Sequence, residues 1–277
     1  MNRRTETALR YRFIILLTLF TPILFSQVVE KSIQRGDTSN FPAIRTRIKD
    51  QTFFIELDPK NTKAYYQRAE LKMYMDDFEG AIADYTTGMA LDPSSYYPLY
   101  MRGACKERTG DLNGSLADFN KAVILAPANE WCLNDRGLIE NKLKKFKEAE
   151  SDFRKALAIK ANWSVALFSL GLNADDQNEY ASALDFYQKS TSADSTNYKA
   201  YHNIGVINNK LEKYELAITY FNIAIKLYPR YAKAFSNRAE AKYKSGNKSG
   251  ACEDMRKALE YGDTNELDII NKFCKDN

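Results

Sequence analysis

Histidine is almost missing from this chain of 277 residues, where His202 stands alone. A two-histidine metal site is thereby excluded, as is any mechanism that passes a proton between two imidazoles. Four cysteines occur, Cys105, Cys132, Cys252 and Cys274, but none forms a CxxC pair, so zinc-ribbon and thioredoxin motifs are lacking. No glycine-rich loop of the phosphate-cradling kind is present. Excess charge is lacking too. Of 40 basic and 36 acidic side chains, Arg3, Arg4, Arg10, Arg12 and Glu6 lie in residues 1–27, which leaves 36 and 35 for the remainder. A body so near neutrality has no field to gather a phosphate backbone, so nucleic-acid binding is not expected. Neither a cofactor nor a metal is announced, and the sequence reads as non-catalytic.

Long apolar runs are scarce as well. The one that stands out, Phe13 to Phe25, follows the basic start and precedes Ser26 and Gln27. At ~1.5 Å per residue it would span about 20 Å, short of the ~30 Å hydrocarbon layer, and Pro22 interrupts it. A basic n-region, a short apolar core and a small residue are the parts of a secretory signal. Residues 1–26 are therefore expected to be a signal peptide, with no stable membrane span once it is removed. The expected location is the periplasm, envelope or extracellular space. The alternative is a chain anchored by an uncleaved N-terminal segment. Export would permit disulfides. Cys252 and Cys274 could meet if the C-terminal segment folds back, and free cysteines packed as small hydrophobes are the other reading.

What the chain does have is a period. Pro59, Pro93 and Pro127 are spaced by 34 residues, and further steps of 34 lead through Ala161 and Ser195 to Pro229. Small residues recur in the same phase at Ala69, Gly103, Gly137, Gly171, Gly205 and Ala239, and again at Ala81, Ser115, Ala149, Ala183, Ala217 and Ala251. Four residues after each of the latter comes a large one: Tyr85, Phe119, Phe153, Tyr187, Phe221 and Met255. Apolar residues at three- and four-residue intervals form two stretches per unit, separated by turn formers such as Asp76-Asp77 and Ser245-Gly246-Asn247. Each unit thus reads as a helical hairpin, with small residues allowing close approach and proline ending the second helix.

These units resemble tetratricopeptide repeats, whose pattern shows clearly in Tyr201-x2-Ile204-Gly205, Ala217-x3-Phe221 and Pro229. The proline column departs from that pattern at Ala161, Ser195 and Asp263. The expected fold is all-α, a right-handed superhelical solenoid of tetratricopeptide-type hairpins. Residues 27–61 read as an N-terminal cap with a partial repeat, its tail at Phe53 to Pro59 preceded by an irregular stretch. Six repeats occupy 62–263, and 264–277 read as a C-terminal capping helix.

The resemblance implies that the first helix of each hairpin lines a concave groove. Counted from residue 62, positions 2, 5, 9 and 12 place Tyr66, Met73, Tyr97, Tyr100 and Trp131 in its early part. Phe168, Lys199, His202, Lys233 and Tyr243 fall in its later part. A protein or peptide ligand is the expected partner, with self-association into a structural assembly as the alternative. The chaperone-tail clamp known in this family needs Lys and Asn where this chain has Tyr66 and Glu70, then Tyr100 and Ala104, so that ligand is not expected.

Overall fold

The computed structural model describes residues 41–263 and Cys274. The expected signal peptide at 1–26 lies outside them, as does the expected helix at 264–277 apart from Cys274. Thirteen α-helices and no strands occur among the described residues. In chain order they are α1 (Phe41–Leu57), α2 (Thr62–Tyr74), α3 (Phe78–Leu91), α4 (Tyr96–Arg108), α5 (Leu112–Leu125), α6 (Glu130–Lys142) and α7 (Phe146–Ile159). Then follow α8 (Ser164–Asp176), α9 (Tyr180–Ala193), α10 (Tyr198–Lys210), α11 (Tyr214–Leu227), α12 (Ala232–Lys244) and α13 (Lys248–Glu260). The described residues fall into two compact units that divide between Ser115 and Leu116. None of the described helices is long and apolar enough to cross a membrane.

The period is visible in the backbone. Asp76, Gly110, Lys144, Asn178, Glu212 and Gly246, each 34 residues after the last, have φ between 59° and 92°. This left-handed residue ends each first helix and reverses the chain in a tight turn. The following residue often caps the second helix: Asp77 accepts from Gly80 N, Asp111 from Gly114 N and Asn247 from Gly250 N, at 2.8–2.9 Å. First helices have caps of the same kind at Asn61, Asn129 and Asn197. Such caps satisfy amides that a helix leaves without an internal partner.

In the first unit, α1 packs on α2, α2 on α3 and α3 on α4. The core holds Ala69, Ala81, Tyr85 and Cys105. Helix α1 begins well before the Phe53–Pro59 tail that the sequence pattern marks. Its earlier turns escape that pattern because the small and aromatic columns fall here on Arg47 and Gln51. It still behaves as a second helix, since Thr52 accepts a hydrogen bond from Arg68 of α2 at 3.0 Å.

In the second unit, the hairpins α6/α7, α8/α9, α10/α11 and α12/α13 pack within themselves, and α7 packs on α8, α9 on α10 and α11 on α12. In α6/α7, α8/α9 and α10/α11 the crossing is a large ring seated where a side chain is missing, whereas α12/α13 packs Ala239 with Met255. A Cβ added to Gly137, Gly171 or Gly205 would lie 2.6, 2.4 and 2.7 Å from Phe153, Tyr187 and Phe221 respectively. All three rings are fully buried. Burying an aromatic of this size contributes roughly 1.5–3 kcal/mol, which a shifted crossing would forfeit. At the chain's end, Cys252 of α13 is joined to Cys274 by a disulfide, while Cys105 and Cys132 are free and buried. That covalent link encloses a separation of 22 residues, a loop for which chain entropy assigns about 3 kcal/mol.

Two outcomes follow from this packing. Gly205→Leu should lower unfolding stability by roughly 1–3 kcal/mol, read as a fall in denaturant midpoint; an unchanged midpoint would show that the crossing is elsewhere. Titration of the unfolded, unreduced protein should find two free thiols, and a count of four would refute the Cys252–Cys274 bridge.

Candidate functional site

The first helices carry the residues expected to line a binding face, and tertiary contacts divide these into two groups. In the first unit, Tyr66 is committed to packing. Its ring lies 6.1 Å from that of Tyr85, covers Gly88, and its hydroxyl donates to Asp92 O at 3.2 Å. Met73 joins the same cluster, its sulfur accepting from the Tyr85 hydroxyl at 3.6 Å. Tyr100 is half-buried. Tyr97 is 41% exposed and donates to Glu70 Oε1 at 3.1 Å. Burial holds both the Tyr97 phenol and the Glu70 carboxyl above their ordinary pKa.

In the second unit, α6 touches α8 and α10 touches α12, so neighbouring first helices form a continuous face over each of these pairs. Phe168 turns inward onto Tyr187, with ring centroids 5.5 Å apart. His202 is 7% exposed and lies against Phe221 and Tyr231. Its Nε2 accepts from Asn237 Nδ2 at 2.9 Å, which leaves the proton on Nδ1 to donate to Asn203 Oδ1 at 3.1 Å. Asn203 in turn donates to the Tyr187 hydroxyl at 3.1 Å. Burial first, then the Lys233 charge, lowers the imidazole pKa, against opposing hydrogen bonds. His202 is therefore a neutral packing residue that ties α10 to α12. Trp131 and Tyr243 remain 45% and 41% exposed, Trp131 resting edge-on against Trp163 at 4.7 Å. Lys199 and Lys233 are exposed.

Polar rungs between first helices were not read from the sequence. Asn141 of α6 donates to Asp176 of α8 at 2.5 Å, and Lys210 of α10 donates to Asp175 of α8 at 3.1 Å. Asp175 and Asp176, adjacent at the end of α8, thus link three first helices. A second unread feature is an ion-pair ladder behind them. Arg68 grips Asp84 through two nitrogens at 2.8 and 2.7 Å, and Arg136 and Arg238 grip Asp152 and Asp254 in the same way. The remaining guanidinium nitrogen reaches back to the preceding second helix, to Thr52, Asn120 and Asn222 respectively. Arg102 likewise donates to Thr86 at 2.9 Å. The signal was available in the sequence: an Arg column and an Asp column sixteen residues apart, in the repeat's own phase.

One position in the ladder changes sign. Lys72 and Lys242 add a second cation to Asp84 and Asp254 at 2.9 and 2.8 Å, but the third repeat carries Glu140 there. Glu140 is 8% exposed, its Oε2 is unpartnered, and its pKa is pushed up to about 7. Burial is the main cause, with Asp152 adding to it, Arg136 opposing, and Glu148 and Lys145 acting more weakly. A carboxyl whose folded pKa is raised stabilises the fold below its ordinary pKa near 4.5, and that contribution is lost as pH rises through about 7. Glu140→Gln should therefore gain urea midpoint relative to the native chain, and the gain should grow between pH 5 and pH 8. An equal difference at both values would show that Glu140 does not titrate in this window.

Comparison with known proteins bears on this architecture. Residues 66–130, 131–161 and 198–231 match three tetratricopeptide-repeat profiles. No curated protein sequence matches the chain significantly. Among solved structures, a tetratricopeptide repeat protein from Parabacteroides merdae is similar, at 17% identity and a TM-score of 0.71, over 87% of this chain and 93% of that one. PilW, a type IV pilus biogenesis factor, is similar at 18% identity and 0.68, over 76% and 98%. The Cut9-Hcn1 hetero-tetramer of APC/C gives 13% and 0.72, over 94% of this chain and 50% of the matched chain. At these identities the likeness concerns the fold. Profiles, helix order and the recurring Gly–aromatic crossings agree, and the chain is a tetratricopeptide-repeat protein.

Proposed function

We propose that this chain is a non-catalytic scaffold that binds a protein or peptide on the first-helix face of its second unit, outside the cytoplasm. The carrying observation is the residue left over by packing. Trp131, Lys199 and Lys233, at the second position of their first helices, and Tyr243, at the twelfth, remain exposed, while Phe168 and His202, at the fifth, are consumed by the core. Exposed aromatics beside exposed lysines offer apolar contact and charge to a peptide laid across first helices. Polar rungs from Asn141 to Asp176 and from Lys210 to Asp175 link those helices, which limits the ordering cost of binding. The extracytoplasmic location rests on the basic and apolar start of the sequence, and the Cys252–Cys274 disulfide favours it, because such bonds persist in oxidising compartments.

A random-peptide display selection on the full chain tests this reading, run beside a Trp131→Ala/Tyr243→Ala variant of matched melting temperature. Peptides enriched by the native protein and lost by the variant are expected. Equal enrichment by both would remove this face from consideration. Mass by light scattering separates the alternative: a mass that rises with concentration would favour a self-assembling structural protein.

A further inference from the structure

The ion-pair ladder breaks in the fourth repeat, as it does in the fifth at Ile204, Asn208 and Tyr220, and a cavity lies at the fourth. The place held by Arg68, Arg136 and Arg238 is taken there by Leu170, and the place of Asp84, Asp152 and Asp254 by Phe186. The lysine column of Lys72, Lys106 and Lys242 becomes Ala174. Those lysines donate to the carbonyls of Gly80, Gly114 and Gly250, at 3.2–3.4 Å. The counterpart of these glycines is Ser182, which has no lysine above it. Two cations and their contacts are thus missing from one spot. A cavity of about 210 Å³ opens there between α7, α8 and α9, with Leu170, Ala174 and Ser182 all in its wall. That is far more than the roughly 10–15 Å³ one water requires.

The rest of the wall is chosen for a positive guest. Glu150, Glu179 and Asp185 contribute three carboxylates against the single guanidinium of Arg154. Arg154 is already bound to Glu150 at 2.7 and 3.0 Å, and Asp185 holds Lys189 at 2.7 Å at a surface pair. Phe186 adds an aromatic wall. Asn173, also in the wall, is 3% exposed; its Nδ2 donates to Phe146 O at 3.1 Å, and its Oδ1 has no partner. A buried amide oxygen without a donor is costly, by about 1–3 kcal/mol, and an N–H-bearing guest would relieve it.

We propose that this cavity binds an organic cation, a guanidinium or primary ammonium group, in the position that the ladder's own arginine and lysine fill in the first, second and sixth repeats. The carboxylates and the Asn173 oxygen accept its N–H groups, and the Phe186 ring supplies a cation–π contact. The group comes either from an Arg or Lys side chain of a partner or from a free amine. The site uses different positions from the first-helix face, so each can fail alone.

Calorimetric titration of the full chain with Nα-acetyl-arginine amide, agmatine and the neutral isostere Nα-acetyl-citrulline amide provides the test. Saturable binding of both guanidinium compounds is expected, with citrulline weaker by about tenfold or more. Ala174→Lys supplies the cavity's own ammonium and should abolish binding while leaving the melting temperature equal or higher. Should that variant fail to fold, Glu179→Gln/Asp185→Asn, altered only at exposed acids, should weaken binding about tenfold. A peptide with one arginine that binds about tenfold tighter than agmatine identifies a partner's side chain as the source; agmatine as tight as the peptide identifies a free amine, and either outcome upholds the site. Citrulline binding equal to arginine overturns the proposal, as does undiminished binding in a folded variant or no saturable heat up to about 10 mM.

Discussion

Three consecutive hairpins in this protein depend on a ring pressed into the place of an absent side chain. Phe153 sits on Gly137, Tyr187 on Gly171 and Phe221 on Gly205, at separations that leave no room for a methyl group. The close approach buries the ring completely and brings the backbones of two helices together. Everything else is arranged around that crossing. The left-handed turn residue sets the reversal that makes it possible, and the cap at the following residue starts the second helix on time. No single hairpin buries both of its faces, so each relies on its neighbours within the unit.

Adjacent repeats are then tied by polar contacts that would be hazardous singly. A buried aspartate such as Asp152 costs several kcal/mol to desolvate, but two nitrogens of Arg136 meet it and a third reaches Asn120 on the previous second helix. The ladder therefore fixes spacing between repeats as well as within them. Its irregularities are informative. At Glu140 the expected lysine is replaced by an acid, creating a buried group poised near neutral pH. At Leu170, Phe186 and Ala174 the charges disappear together and space is left behind. Both departures fall in the middle repeats, in the same unit as the exposed lysines and tryptophan.

Function in such a protein is what stability does not use. Tyr66, Phe168 and His202, at the fifth position of their first helices, are absorbed by neighbours, while Tyr97, Trp131 and Lys199, at the second, stay exposed; Met73 and Tyr243 share the twelfth position and still differ in this way. The Tyr187–Asn203–His202–Asn237 chain of hydrogen bonds is a clear instance, since it converts the lone histidine from a chemical candidate into a link between α10 and α12.

The sequence by itself determined the six hairpins, their turns and their crossings. Those features arise from residues at short, fixed separations, where a small side chain or none meets a large one in every unit. It determined less about α1, whose small and aromatic columns hold Arg47 and Gln51 instead of the repeat's own residues. Only the tertiary structure decided which first-helix side chains face outward. The reason is distance: the fate of Tyr66 depends on Asp92, and that of His202 on Asn237, 26 and 35 residues away on another element. The cavity is of the same kind. Leu170, Ala174 and Phe186 look like ordinary core residues one at a time, and only when α7, α8 and α9 are packed do they line a common space.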